Sequence, residues 1–379
     1  MGKYFFEFSG EENMKVGIAT FQWSDNYGAV LQVYALQSYL EKKGHLVQII
    51  DFRPKPSVSV MKKILAKTPQ GCIRKWEAYY KEVLFENFRN KCLKRTSKTF
   101  SFVQELKSLA DKYDLMITGS DQVWNPRWIS QYEGLKELYF LSFAGKNTKR
   151  ISYAASFGHA ETSTMEKRWQ KIIGENLEKF DAISVREASG VGIVRGLSGR
   201  TDAAHVVDPT LLLSRDDYNR LVGQANYSEA YAFSYILHGL DRDVENVLQG
   251  LSDTLDLTIL KCNIKKTGIH KCYTLPSPVC WLNRIKNADF MVTNSFHGVV
   301  FCLIFHTPFI ALLIEGEMGA MNARIVDLLK AVGLEHWVFF TRDSVSQGLF
   351  QKERNWRKVD QKISLLRSNS IRFLEHQGV

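Results

Sequence analysis

Apolar positions along the chain alternate between two rhythms, and the alternation predicts an α/β fold. Residues 14–21 (MKVGIATF) form a short run suited to a buried strand. Residues 29–43 then carry apolar side chains at helical spacing, and 46–52 (LVQIIDF) read as the next strand. Further strands are predicted at 115–118, 150–156 and 182–185. Strands alternating with helices in this way imply a parallel sheet with helices on both faces. After 205–208 (HVVD) and a polar stretch at 214–230 the rhythm restarts, with strands at 231–237, 257–261, 289–293 and 308–313. We therefore expect two doubly wound domains, 14–212 and 213–379, the second ending in a helical tail.

An insertion at about 55–105 interrupts the first domain. Its central part, 61–100, holds 11 Lys/Arg against 3 Glu. Trp76, Tyr79, Tyr80, Leu84, Phe85 and Phe88 recur there at helical spacing. One reading is a helix that packs an apolar stripe on the domain and leaves a basic face in water. The other is a surface for anionic lipid or a lipid-linked pyrophosphate.

The chain has 379 residues, 45% of them apolar and 24% charged, the balance of a soluble folded enzyme. A formal charge of +10 favours anionic partners without choosing among them. Six cysteines (72, 92, 262, 272, 280 and 302) form no CxxC pair, which argues against zinc ribbons and redox motifs and for reduced thiols. The polar start lacks a secretory h-region. The longest apolar run, 299–314, is broken by His306, Thr307 and Pro308 and is short of the roughly 20 residues that span a bilayer. These features lead us to expect a cytoplasmic protein with no resident metal or cofactor.

Open parallel sheets bind ligands beyond the carboxyl ends of their strands, so the residues there are the candidates for chemistry. The first strand is followed by Trp23-Ser24-Asp25-Asn26-Tyr27-Gly28, where Asp25 or Asn26 either caps a helix or helps present its N-terminus to an anion. The third is followed by Gly119-Ser120-Asp121-Gln122-Val123-Trp124-Asn125, an unusually polar strand end. Arg186-Glu187 follows 182–185, either as a guanidinium fork for an oxyanion or as an exposed ion pair. In the second domain Thr293-Asn294-Ser295-Phe296-His297-Gly298 leads into a markedly apolar helix. Gly190, Gly192 and Gly196 lie inside a helical pattern and miss the dinucleotide spacing, and Asp241-Arg242-Asp243 reads as a helix cap rather than a metal site. The chain has no Walker A loop, HExxH or GxSxG.

Seven segments in this order resemble the polysaccharide pyruvyl transferase family: residues 15–40, 49–54 (IIDFRP), 114–126 (DLMITGSDQVWNP), 149–158 (KRISYAASFG), 182–190 (AISVREASG), 206–213 (VVDPTLLL) and 288–312. The resemblance implies two Rossmann-like domains facing across a cleft, in a GT-B-like arrangement. It implies phosphoenolpyruvate as donor substrate and a glycan hydroxyl pair as acceptor, free or lipid-linked, on a bacterial surface polysaccharide or its precursor. Nucleic acid is not an expected partner. The family's strand-end arginine falls on Arg186 and its second-domain histidine on His297. Better-studied members carry an arginine two residues before that histidine, where this chain has Ser295, and Arg324 is the candidate replacement. His297, Asp121 and Asp208 are the candidates for acid and base. Arg186, Arg324, Asn26, Tyr27, Gly28, Ser120, Asn125, Asn294 and Ser295 are the candidates for substrate contact. Two rivals share the architecture: a nucleotide-sugar glycosyltransferase and a non-catalytic component of capsule assembly.

Overall fold

The computed structural model describes residues 13–54, 69–158, 161–225, 227, 229–237, 242–262, 275–313, 322–340, 347–350 and 352–379. Two parallel sheets carry the fold. The first contains β1 (Lys15–Ala19), β2 (Leu46–Ile49), β3 (Leu115–Thr118), β4 (Lys149–Ala155), β5 (Ala182–Val185) and β6 (Ala204–His205), in the order β2-β1-β3-β4-β5-β6. The second contains β7 (Tyr231–Tyr235), β8 (Thr258–Lys261), β9 (Phe290–Thr293), β10 (Phe309–Leu313) and β11 (Val338–Phe340), in the order β11-β10-β9-β7-β8. Both sheets reverse direction of growth beside their first strand, between β1 and β3 and between β7 and β9. Such switch points open a crevice at the strands' carboxyl ends, where neighbouring connections depart to opposite sides. The architecture is thus the expected two-domain doubly wound one, with β6 and β11 added by the structure. The tripeptide 338–340 is too short for its periodicity to announce a strand.

The helices that matter here are α1 (Tyr27–Lys42), α2 (Pro69–Cys92), α3 (Ala188–Ser198), α4 (Pro278–Lys286), α5 (Phe296–Phe305), α6 (Ala323–Val332) and α7 (Trp356–Glu375). All ten residues of α5 are buried, as expected for a helix apolar on every side. Helix α1 buries twelve of its sixteen residues because it lies between the two domains. One apolar core runs from its face of the first sheet, through Tyr27 and Trp281, into the second sheet. A separate core fills the other face of the first sheet. The tail helix α7 returns to the first domain. Ser370 Oγ accepts from Val207 N at 2.9 Å, Arg367 Nη2 donates to Leu213 O at 3.2 Å, and Phe373 meets the Tyr153 ring. Gly190, Gly192 and Gly196 all lie within α3, away from any phosphate-binding turn.

The apolar stripe expected in the basic insertion divides along α2. Phe85 and Phe88 are buried, whereas Tyr79 and Tyr80 are exposed. The two arginines of 89–98 turn inward, while Lys91, Lys94 and Lys98 stay exposed. Arg89 is fully buried, its Nη2 2.6 Å from Asp25 Oδ1 and its Nε donating to Gln22 O at 2.7 Å. Arg95 pairs with Glu86 at 2.7 Å and with Asp51 at 3.4 Å. Lys94 pairs with Glu41 and Lys98 with Glu105. This end of the insertion therefore serves to pin the loop after β1. Among the described residues, Lys91, Lys94 and Lys98 are the exposed cations left on the insertion; the side chains at 62–75 lie outside those described.

Candidate active site

The strand ends of the two switch points meet at the N-termini of α1 and α5. Asn26 caps α1, its Oδ1 accepting from Ala29 N at 3.2 Å, and Ser295 caps α5, its Oγ accepting from Gly298 N at 3.2 Å. Each cap satisfies one of the N–H groups that a helix start leaves open. Asp25, the other sequence candidate for the α1 cap, instead pairs with Arg89. Asn294 Oδ1 accepts from Leu237 N at 2.7 Å and so ties the end of β9 to the end of β7. These polar residues build the two helix starts, and His297 stands on one of them.

His297 crosses the domain junction onto α1. A Cβ placed on Gly28 would lie 2.0 Å from His297 Nδ1, so only glycine allows the imidazole this close. Gly28→Ala should therefore displace the imidazole or part the helices. Overpacking typically costs about 1–3 kcal/mol, to be read as a lowered thermal midpoint together with reduced turnover. Wild-type activity and midpoint in Gly28→Ala would show that the close approach is dispensable.

On its other side His297 faces a buried ionic cluster. Its Nε2 is 3.4 Å from Asp208 Oδ2, an ion-pair separation rather than a formed hydrogen bond, and Nε2 has no hydrogen-bond partner. Asp208 is fully buried. Its Oδ2 accepts from Ser120 Oγ at 2.8 Å and Arg186 Nη1 at 3.1 Å, and its Oδ1 from Thr210 N and Oγ1 at 3.1 and 2.7 Å. Burial alone would raise this carboxyl, but His297 and Arg186 opposite it, with the Thr210 hydrogen bonds, hold it far below the usual carboxylate range. A carboxylate so held neither gives nor takes a proton readily. This removes Asp208 from the acid and base candidates and makes it the anchor for His297 and Arg186.

Arg186 is likewise buried, with Glu187 Oε1 3.1 Å from Nε and Asp121 Oδ1 3.7 Å from Nη2. Burial alone would lower its pKa, but Glu187, Asp208 and Asp121 raise it further above the ordinary arginine value. The pairing with Glu187 exists, but it is internal rather than exposed. Arg186 Nη2 makes no hydrogen bond. Asp121 is the accessible carboxylate of the cluster, its side chain 22% exposed. It holds φ of +80°, a conformation costly for a residue other than glycine and often kept where function requires it.

Two sequence candidates move to structural roles. Tyr27 stacks on Trp281 across the domain junction, ring centroids 4.8 Å apart and 3° from parallel, and its hydroxyl donates to Pro276 O at 2.7 Å. Buried in this way, the phenol serves domain packing rather than substrate contact. Asn125 caps a one-turn helix, its Oδ1 accepting from Arg127 N and its Nδ2 donating to Gln122 Oε1. Trp124, from the same motif, is a core residue whose Nε1 donates to Tyr139 O. Arg324, half-buried on α6, reaches the cluster from the side, its Cζ 5.7 Å from the Phe296 ring centroid. Phe296 and Thr210 belong to the site although sequence reasoning gave them no role. The Asp-Pro-Thr capping pattern at 208–210 was the available signal for Thr210. Among the described residues, no group of three or more His, Cys, Asp or Glu could hold a metal ion.

Comparisons with known proteins bear on the family and the fold. The sequence model for polysaccharide pyruvyl transferase matches residues 26–315. No curated protein matches the chain in sequence. A UDP-N-acetylglucosamine 2-epimerase from Rickettsia bellii is similar in structure, with a TM-score of 0.54 at 8% identity over 96% of each chain. A UDP co-structure of MnaA from S. aureus has a TM-score of 0.50 at 11% identity, covering 96% of this chain and 95% of that one. At these identities the likeness speaks for the two-domain fold alone. No described helix is long and apolar enough to cross a membrane.

Proposed function

The chain belongs to the polysaccharide pyruvyl transferase family, and from that premise we propose that it moves the pyruvyl group of phosphoenolpyruvate onto a pair of sugar hydroxyls, forming a cyclic ketal on a surface polysaccharide or its precursor. The observation that carries the reading is a pair of buried nitrogens, Arg186 Nη2 and His297 Nε2, that lack hydrogen-bond partners at the junction of two switch points. Buried donors without partners are costly, and an anionic substrate group would satisfy them.

The reaction needs a proton delivered to the methylene carbon of the donor, which makes C2 electrophilic. One sugar hydroxyl then bonds to C2, the C2–O bond to phosphate breaks, and a second hydroxyl closes the ketal. The methylene gains one proton and the two hydroxyls lose two, one returning to the acid and one leaving with phosphate. His297, 3.4 Å from the Asp208 carboxylate, would supply the first proton. Asp121, the accessible carboxylate, is placed to take a hydroxyl proton. Arg186 stabilises negative charge on the donor through Nη2.

The test is incubation of the full chain with phosphoenolpyruvate and candidate glycans, with mass spectrometry of the products. We expect an acceptor mass increased by one pyruvate ketal, with phosphate released. Transfer of a sugar from a nucleotide sugar, with phosphoenolpyruvate inert, would assign the chain to glycosyl transfer instead.

A further inference from the structure

Two large aromatic rings stand half-buried at the switch point of the first sheet, and the donor chemistry uses neither. Trp23 follows β1, and Tyr132 follows the one-turn helix beyond β3. Their rings meet edge to face, centroids 5.2 Å apart and planes at 63°, and so form an angled corner. Trp23 Nε1 donates to the buried Tyr139 Oη at 3.3 Å, so the polar end of the indole is spent on the core. What Trp23 leaves to the crevice is ring surface. The corner lies beside Asp121: burial pushes the Tyr139 phenol up, and the Asp121 carboxylate is near enough to push it further. Trp128, tied to Gln122 Oε1 at 2.9 Å, already carries Arg127 5.4 Å from its ring centroid. Among the described residues no cation covers Trp23 or Tyr132.

The chain fixes this corner with a buried arginine. Arg89 donates to Gln22 O at 2.7 Å and to Trp23 O at 3.0 Å, and it pairs with Asp25 at 2.6 Å. Gln22 Nε2 in turn donates to Asp51 Oδ1 at 2.8 Å. The backbone on both sides of Trp23 is thereby held, and a surface fixed in advance loses little freedom when a ligand settles on it. We propose that Trp23 and Tyr132 form the platform on which the acceptor sugar stacks, with its hydroxyl pair turned toward Asp121. A pyranose has a face of C–H bonds and a rim of hydroxyls. The C–H face packs on the rings, and the rim meets the polar strand end, a division that small-molecule sites commonly show. A bare phosphate or carboxylate gains nothing from such a corner. The platform rests on the pyruvyl-transfer reading for the fate of the sugar, but not for the binding of sugar.

Methyl glycosides of galactose, glucose, mannose and N-acetylglucosamine are the probes, with uridine as a flat ligand that is not a pyranose. Each is titrated into the full chain and read by saturation-transfer NMR. We expect at least one glycoside to bind, with the strongest transfer to the C–H protons of a single ring face. Trp23→Ala and Tyr132→Ala should each weaken it about tenfold, the scale of one aromatic contact. Trp23→Phe should weaken it by less. Should Trp23→Ala fail to fold, Trp23→Leu, which keeps apolar bulk without a flat face, is read in the same way. In turnover the acceptor KM should rise, while kcat and the affinity for phosphoenolpyruvate stay near wild type. A residue that only packs would lower the thermal midpoint and leave glycoside affinity unchanged, and that result overturns the platform. So does a wild-type protein that binds no glycoside, or binds uridine alone. Ketal formation with an unchanged acceptor KM in the Trp23 and Tyr132 variants would sink the platform and spare the function. Trp23-dependent glycoside binding in a protein that makes no ketal would do the reverse.

Discussion

His297→Ala should lower pyruvyl transfer from phosphoenolpyruvate by about 10²-fold or more, the usual cost of losing a positioned acid. The imidazole is confined by Gly28 on one side and faces Asp208 at 3.4 Å on the other, a fixed position that a water molecule in its place would not hold. The loss should fall on kcat, because protonation of the methylene belongs to the transition state rather than to donor binding. Thermal stability should fall too, since removing the ring leaves a cavity and takes one partner from the buried Asp208 carboxylate. A folded variant that turns over at the wild-type rate would make His297 a packing residue and leave Asp121 to supply the proton.

Asp208→Ala should be the most destabilising change at the site. Removing one partner of a buried ion pair typically costs about 3–5 kcal/mol, because the other charge stays buried. The lower end of that range is expected here, since Arg186 keeps Glu187 at 3.1 Å and Asp121 at 3.7 Å. Denaturant unfolding would show the loss as a shifted midpoint, and donor turnover should fall with it as Arg186 and His297 lose their anchor. A variant as stable as the wild type would refute the anchoring role. The same group makes a pH statement. The folded pKa of Asp208 is depressed well below its ordinary value of about 3.9. Its contribution is therefore complete above that value and is lost as pH falls from there toward the folded pKa. Stability of the wild type measured against Asp208→Asn should show a difference that is constant near neutral pH and narrows only below about pH 4.

The alternating apolar runs placed the strands well. The predicted 115–118 and 182–185 coincide with β3 and β5, and the other predicted strands within the two sheets differ by one to three residues at their ends. These are short-range features: a β-branched run bounded by polar residues needs little beyond itself to become a strand in a sheet buried on both faces. The polar strand ends were legible for the same reason, because a Gly, Ser, Asp or Asn there either caps the next helix or faces a ligand. Motif order alone also pointed to the family, and Arg186 and His297 do come together at the junction.

What each of these residues touches was decided only by tertiary structure. Tyr27 read as a ligand contact until its partner, Pro276, proved to lie 249 residues away, and the Arg89 that pins the loop after β1 is 66 residues from the Trp23 oxygen it meets. Asp208 and Asp121 are equal candidates as letters in a sequence. One is sealed beneath four hydrogen bonds and the other keeps a side chain 22% exposed, a difference that no sequence pattern records. The physical reason is that propensity and capping act over a few residues, whereas burial and charge partners depend on which surfaces the two domains bring together. Gly28 states the case most simply: its sequence permits any small residue at a helix start, and only an imidazole from the other domain makes the missing side chain a requirement.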